Sequence, residues 1–104
     1  FSHSNLLTSG NLEIDLLSKT AKVKDRIINL TRSEYDLLLF LIGNKKRIVS
    51  KDSIAEHLSG DMADMFDNYN FVYAHIKNLK AKLSEEGCDC MIKTIYGTGY
   101  QWVE

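Results

Sequence analysis

Only two cysteines occur in the chain, Cys88 and Cys90, one residue apart. That is too few and too close for the disulfide framework of a small secreted domain, so reduced thiols are the expectation. A tetrahedral zinc site needs further ligands, and His3, His57 and His75 stand at no matching spacing, so no metal is expected. An excess of one charge is also missing. With 13 Lys+Arg against 14 Asp+Glu the formal net charge is −1, which excludes a protein that coats nucleic acid by bulk charge and confines any phosphate contact to a local patch. No apolar run approaches the roughly 18 residues of a membrane span, and Phe1-Ser2-His3-Ser4 lacks the charged start and apolar stretch of a signal peptide. We therefore expect no membrane association and a soluble, cytoplasmic protein. A first residue other than Met suggests a fragment or a processed product. The sequence holds no glycine-rich phosphate loop before a helix, no nucleophile elbow and no carboxylate cluster set against a histidine. Neither an enzyme nor a bound cofactor is expected.

What is present reads as one domain, because 104 residues are enough for one modest core. Residues 4 to 29 carry short apolar stretches broken by turn formers at Ser9-Gly10-Asn11 and Lys24-Asp25, which suggests a small antiparallel sheet. Candidate strands are Asn11 to Asp15, Thr20 to Lys24 and Arg26 to Asn29, with Leu12, Ile14, Ala21, Val23 and Ile27 available to an inward face. The period changes at Thr31-Arg32-Ser33-Glu34, a capping box that starts a helix. Tyr35, Leu38, Leu39 and Ile42 then recur at helical spacing, and Gly43-Asn44 supplies a stop. Ser50 caps a second, shorter helix through about Ser59, in which Asp52 complements the dipole and Ile54 and Leu58 face inward; Gly60 ends it.

Residues 60 to 68 are acidic and contain Met62, Met65 and Phe66. They read either as a solvated connector or as a surface for a protein partner, since flexible methionine and an aromatic ring suit adaptable contacts.

From Asn70 to Leu83 the residues Val72, Ile76, Leu79 and Leu83 form one apolar stripe. The other side presents Asn70, Tyr73, Lys77 and Lys80, flanked by Ala74, Asn78 and Ala81. Taken alone, that side fits an ordinary solvated face as well as a groove-reading one. In a major groove, lysine can bond guanine, asparagine can pair with adenine, and alanine or a tyrosine ring can touch a thymine methyl. His75 lies between stripe and face, as a core-edge histidine or a phosphate contact. Met91 to Tyr96 and Tyr100 to Val103 alternate as two paired strands around Gly97-Thr98-Gly99. Read as a wing along a DNA backbone, this hairpin offers the hydroxyls of Thr94, Thr98 and Tyr100, with Tyr96 placed to probe a minor groove.

Four runs in this order make the pattern specific: Leu30-Thr31-Arg32-Ser33-Glu34-Tyr35-Asp36-Leu37-Leu38, Arg47-Ile48-Val49-Ser50-Lys51, the stretch from Val72 to Leu83, and Ile92-Lys93-Thr94-Ile95-Tyr96-Gly97-Thr98-Gly99-Tyr100. Together they closely resemble the winged-helix effector domain of OmpR/PhoB-type response regulators. The resemblance implies an α+β fold, a winged helix-turn-helix with an amino-terminal four-stranded antiparallel sheet, three helices and a carboxy-terminal β-hairpin wing. It also implies a phosphoacceptor receiver domain upstream, a sensor histidine kinase acting through it and double-stranded DNA as ligand; weak binding by a single domain suggests a second copy alongside on direct repeats. By position, Asn70, Tyr73, Ala74, Lys77, Asn78 and Lys80 would face the major groove, while His75, Thr94 and Tyr100 would meet phosphates. The loop holding Met62, Met65 and Phe66 would be where RNA polymerase is met.

The chain departs from that family where arginines are common. Its third helix has Asn70, Lys77, Asn78 and Lys80, so fewer bidentate guanine contacts are expected. Its wing has Tyr96, and a phenol cannot exploit a narrow minor groove as a cation does. With Lys77, Lys80, Lys82 and Lys93 as local cations, about three or four phosphates would be neutralised, giving a salt slope of roughly −3 to −4. Near-neutral charge and the acidic loop also leave open a winged-helix module that binds a protein partner instead of DNA. A redox-sensing variant using Cys88 and Cys90 is a third reading.

Overall fold

The computed structural model describes residues 6–59 and 70–104. Four short strands open the fold, β1 (Leu6–Ser9), β2 (Leu12–Asp15), β3 (Thr20–Val23) and β4 (Arg26–Ile28), hydrogen-bonded in sequence order as an antiparallel meander. Leu12 pairs with Val23 and Ile14 with Ala21, so all four side chains share the inner face and are at most 1% exposed. Ile27, expected inward, is instead 59% exposed, and Ile28 is the buried residue. The turn sets this phase. Lys24 and Asp25 both have positive φ, 53° and 68°, as a two-residue primed hairpin turn requires. That turn brings Ile28 opposite Ala21 and Ile27 opposite Lys22.

The first helix, α1 (Arg32–Gly43), starts with the expected capping box: Thr31 Oγ1 accepts from the Glu34 backbone N–H at 3.2 Å and Glu34 Oε1 accepts from the Thr31 N–H at 3.0 Å. Leu37, Leu38 and Leu41 are fully buried, while Leu39 is only partly buried against the core. Asn44 forms the C-cap, and its side-chain amide donates to Phe40 O at 2.8 Å. The second helix, α2 (Lys51–Ser59), begins where Ser50 Oγ accepts from the Ser53 N–H at 3.1 Å. Ile54 anchors it, fully buried, and Leu58 lies against the core. The third helix, α3 (Asn70–Glu85), buries Val72, Ile76, Leu79 and Leu83 to 4% exposure or less. It ends in a Schellman turn: Gly87 has φ 75°, Cys88 N–H donates to Leu83 O, and Gly87 N–H donates to Ser84 O.

The last two strands, β5 (Met91–Ile95) and β6 (Gly99–Val103), pair antiparallel as the carboxy-terminal hairpin. A bridge fixes this hairpin to the helices, because Val49 and Tyr100 exchange both backbone hydrogen bonds at 2.7 and 2.8 Å. One core cluster runs through sheet, helices and hairpin. Beside it lies an ion pair. Glu34, 4% exposed, accepts from Lys82 Nζ on α3 with the same Oε1 that accepts the Thr31 N–H. Burial opposes ionisation of Glu34, but the hydrogen bonds from Lys82 and from the Thr31 N–H outweigh it and hold the carboxyl below its ordinary value of 4.5.

A carboxylate held low contributes stability that is fully present above its unfolded value and lost as pH falls through its folded value. Glu34→Gln should therefore lower the urea midpoint at pH about 6, with the deficit against the parent shrinking below pH about 4.5, the unfolded value. Urea titrations followed by circular dichroism at several pH values measure this. A deficit independent of pH would mean that the ionised carboxylate is not what stabilises.

Candidate nucleic-acid interface

Packing decides which side of α3 is offered to a ligand. With its apolar stripe turned into the core, Asn70, Tyr73, Ala74, Lys77, Asn78 and Lys80 are all left exposed. The sequence thus placed every expected groove-facing residue of this helix on one solvent-facing side. His75 is half-buried at the edge, with the Phe71 ring set edge-on at 6.5 Å. Its Nδ1 is buried with no hydrogen-bond partner among the described residues.

The hairpin contributes the second part. Tyr96 stands at its tip, 99% exposed, and Thr94, Thr98 and Lys93 are exposed beside it. Tyr100 is different: at 8% exposure it is the least accessible of the expected contact residues. Burial, and secondarily the Tyr73 phenol, push the Tyr100 hydroxyl above its usual value of 10, so at neutral pH it remains a donor. Tyr73, Thr94, Thr98 and Tyr100 converge on a cleft of about 260 Å³ between the start of α3 and the hairpin. Of the exposed face of α3, Tyr73 reaches this cleft.

Two lysines change roles. Lys82, counted from sequence among the cations facing phosphate, is half-buried and committed to Glu34; a charge spent on an internal carboxylate is not spent on DNA. Lys51, the first residue of α2, lines the cleft. It lies two residues after Val49, which is bridged to Tyr100, a pairing invisible to local pattern. Met62, Met65 and Phe66 lie outside the described residues. Among those described, no three or more His, Cys, Asp and Glu residues group to hold a metal ion, and no helix is long and apolar enough to cross a membrane.

A family model described as "Transcriptional regulatory protein, C terminal" matches residues 24–102. The chain is 32% identical over 97 residues to the response regulator MprA of Mycolicibacterium vanbaalenii, a match covering 93% of this chain and 41% of that protein. Its structure is similar to that of DrrB, a Thermotoga maritima OmpR/PhoB homologue, with a TM-score of 0.81 and 28% identity over 96% of this chain and 45% of that one. It is also similar to the Klebsiella pneumoniae RstA DNA-binding domain, solved in complex with RstA box, with a TM-score of 0.78 and 25% identity over 94% of this chain and 96% of that one. The chain thus spans less than half the length of the first two relatives.

The wing glycines separate position from flexibility. At Gly99 (φ 158°) an added Cβ would lie 2.2 Å from Val49 O and 2.8 Å from Val49 C, whereas at Gly97 (φ 76°) nothing lies within 4 Å. Gly99→Ala should push the wing off the Val49 bridge and cost about 2 kcal/mol or more, as overpacking against backbone does. Gly97→Ala should cost about 1–2 kcal/mol, the left-handed backbone penalty alone. Denaturant midpoints, with amide exchange at Val49 and Tyr100 as a local probe, distinguish the two; equal losses would contradict the assigned contact.

Proposed function

The chain belongs to the family described as transcriptional regulatory protein, C terminal, the winged-helix DNA-binding domains of OmpR/PhoB-type response regulators, and from that we propose that it binds duplex DNA with sequence specificity to control transcription. The observation that carries this reading is the joining of the α3 face to the wing through the cleft of Tyr73, Thr94, Thr98 and Tyr100. A helix in the major groove would leave the hairpin beside the flanking backbone.

Base edges fall to Lys77 and Asn78, with Asn70 two turns before that centre, Lys80 within one turn after it, and Tyr73 and Ala74 against thymine methyls. Phosphates fall to Thr94, Thr98, Tyr100, His75 and Lys93, because neutral donors and lysines position without reading sequence. Tyr96 enters or covers the minor groove without a cation, so readout there is weak. The working protein carries a receiver domain upstream, phosphorylated by a sensor histidine kinase in the cytoplasm. Phosphorylation raises the effective concentration of two effector domains on adjacent direct repeats. RNA polymerase meets the segment with Met62, Met65 and Phe66.

With Lys82 withdrawn, Lys77, Lys80 and Lys93 remain, and the salt slope of one domain should be about −3. Selection from a random duplex pool at two salt concentrations tests the whole reading, and we expect a direct repeat to be enriched. Lys77→Ala should then cost about 1–3 kcal/mol at one base position and relax preference there, whereas Thr94→Ala should weaken all sequences alike. No enrichment by the parent, with equal sequence-blind losses from both changes, would refute specific readout by this face.

A further inference from the structure

Lys51 is a cation where helix stability asks for an acid. It opens α2 just after the Ser50 cap, at the positive end of the helix dipole, which favours a carboxylate such as that of Asp52 and opposes an ammonium. The lysines just before it in the sequence are placed differently. Lys45 is paired with Glu104 at 3.4 Å, and with Lys46 it lines a separate hollow against Gln101, Trp102 and Val103, at the end of β6 away from the wing tip. Of these three lysines, Lys51 is the one that lines the cleft between α3 and the hairpin.

That cleft has the chemistry of an anion seat. Among the described residues none that lines it is acidic, and Tyr73, Thr94, Thr98 and Tyr100 line it with hydroxyls. The Tyr100 side chain is 8% exposed. Its hydroxyl is held protonated by burial and by the Tyr73 phenol, and it makes no hydrogen bond among the described residues. A buried donor without a partner favours a ligand that supplies an acceptor. The cation is brought to it by backbone pairing: Val49 exchanges both backbone hydrogen bonds with Tyr100, which fixes the start of α2 against that residue. The N-terminus of α2 adds its own positive end beside the cleft.

We infer that this cleft seats one backbone phosphate of the duplex, with the Lys51 ammonium as its counter-charge and the Tyr100 hydroxyl as its buried donor. The inference rests on the DNA-binding reading and extends it to α2, which that reading left without a contact. With α3 in the major groove and the wing beside the flanking backbone, a strand of the duplex passes between them, and the cleft lies on that path. Lys51 thereby replaces the cation that Lys82 withholds by pairing with Glu34. Added to Lys77, Lys80 and Lys93 it makes a fourth, and at about 0.9 per phosphate the salt slope of the parent steepens to about −3.6.

A phosphate contact reads no base, so a fluorescently labelled duplex of mixed sequence serves as the probe, with binding followed by anisotropy between about 50 and 200 mM salt. Over that range the parent should lose about 150-fold in affinity and Lys51→Gln about 40-fold, a slope of about −2.7, with Lys51→Arg restoring the slope of the parent. Tyr100→Phe removes a neutral donor, so it should weaken binding and leave the slope unchanged. Combined with Lys51→Gln it should cost less than the product of the two single losses, because once either group is gone the other holds the shared phosphate less closely. Native circular dichroism is checked for each variant. Equal slopes for the parent and Lys51→Gln, or single losses that simply multiply in the double variant, overturn the inference while the DNA-binding reading stands; a parent that binds no duplex overturns that reading and this inference with it.

Discussion

Glu34 has one oxygen doing two things: it accepts the Thr31 N–H that starts α1 and the Lys82 ammonium that comes from α3. A buried carboxylate is tolerated only when its charge is matched and its lone pairs are filled, and here both conditions are met by groups from opposite ends of the helical layer. The cap of one helix and the angle of another are thereby the same interaction. Everything downstream follows from it, because α3 can present Tyr73, Lys77 and Asn78 outward only while Val72, Ile76, Leu79 and Leu83 stay seated against the core.

The hairpin is positioned by a different means. Its inner residues Ile92 and Trp102 pair across the strands and enter the core, but its place beside α3 is set by the Val49 bridge. Gly99 permits that approach, since any side chain there meets Val49 backbone. The cleft between helix and wing is thus a consequence of the backbone hydrogen bonds between Val49 and Tyr100. Its aromatic and hydroxyl lining is polar without being strongly charged, which suits a chain whose net charge is −1.

What could be read from the sequence was whatever is decided within a few residues. The Thr31 to Glu34 box, the Ser50 cap and the α3 stripe depend on local spacing, and the structure has all three. Strand β1 was visible only through family resemblance, because Leu6, Leu7 and Thr8 do not alternate and the residue it buries is Ser9. Ile27 was assigned the wrong face because a one-residue phase is set by turn geometry at Lys24-Asp25, and hydrophobicity cannot distinguish two adjacent isoleucines. Lys82 looked like another cation of the DNA face because its partner lies 48 positions away. The groove-facing set on α3 was legible since helix periodicity alone separates it from the stripe; the part played by Lys51 was not, since it depends on a tertiary bridge.

Ser9, 3% exposed, joins the two ends of the chain: Trp102 Nε1 donates to its hydroxyl at 2.8 Å, that hydroxyl donates to Glu104, and Cys90 reaches its carbonyl. Nearby, the Asn11 side chain holds Gly87 O and the Asp89 N–H. During synthesis on the ribosome, the amino-terminal meander emerges first with its polar inner residue unmatched, and 93 positions separate Ser9 from the indole that satisfies it. Such long-range closure is slow relative to local structure. The opening sheet therefore keeps Ser9 solvated until the strand carrying Trp102 is in place.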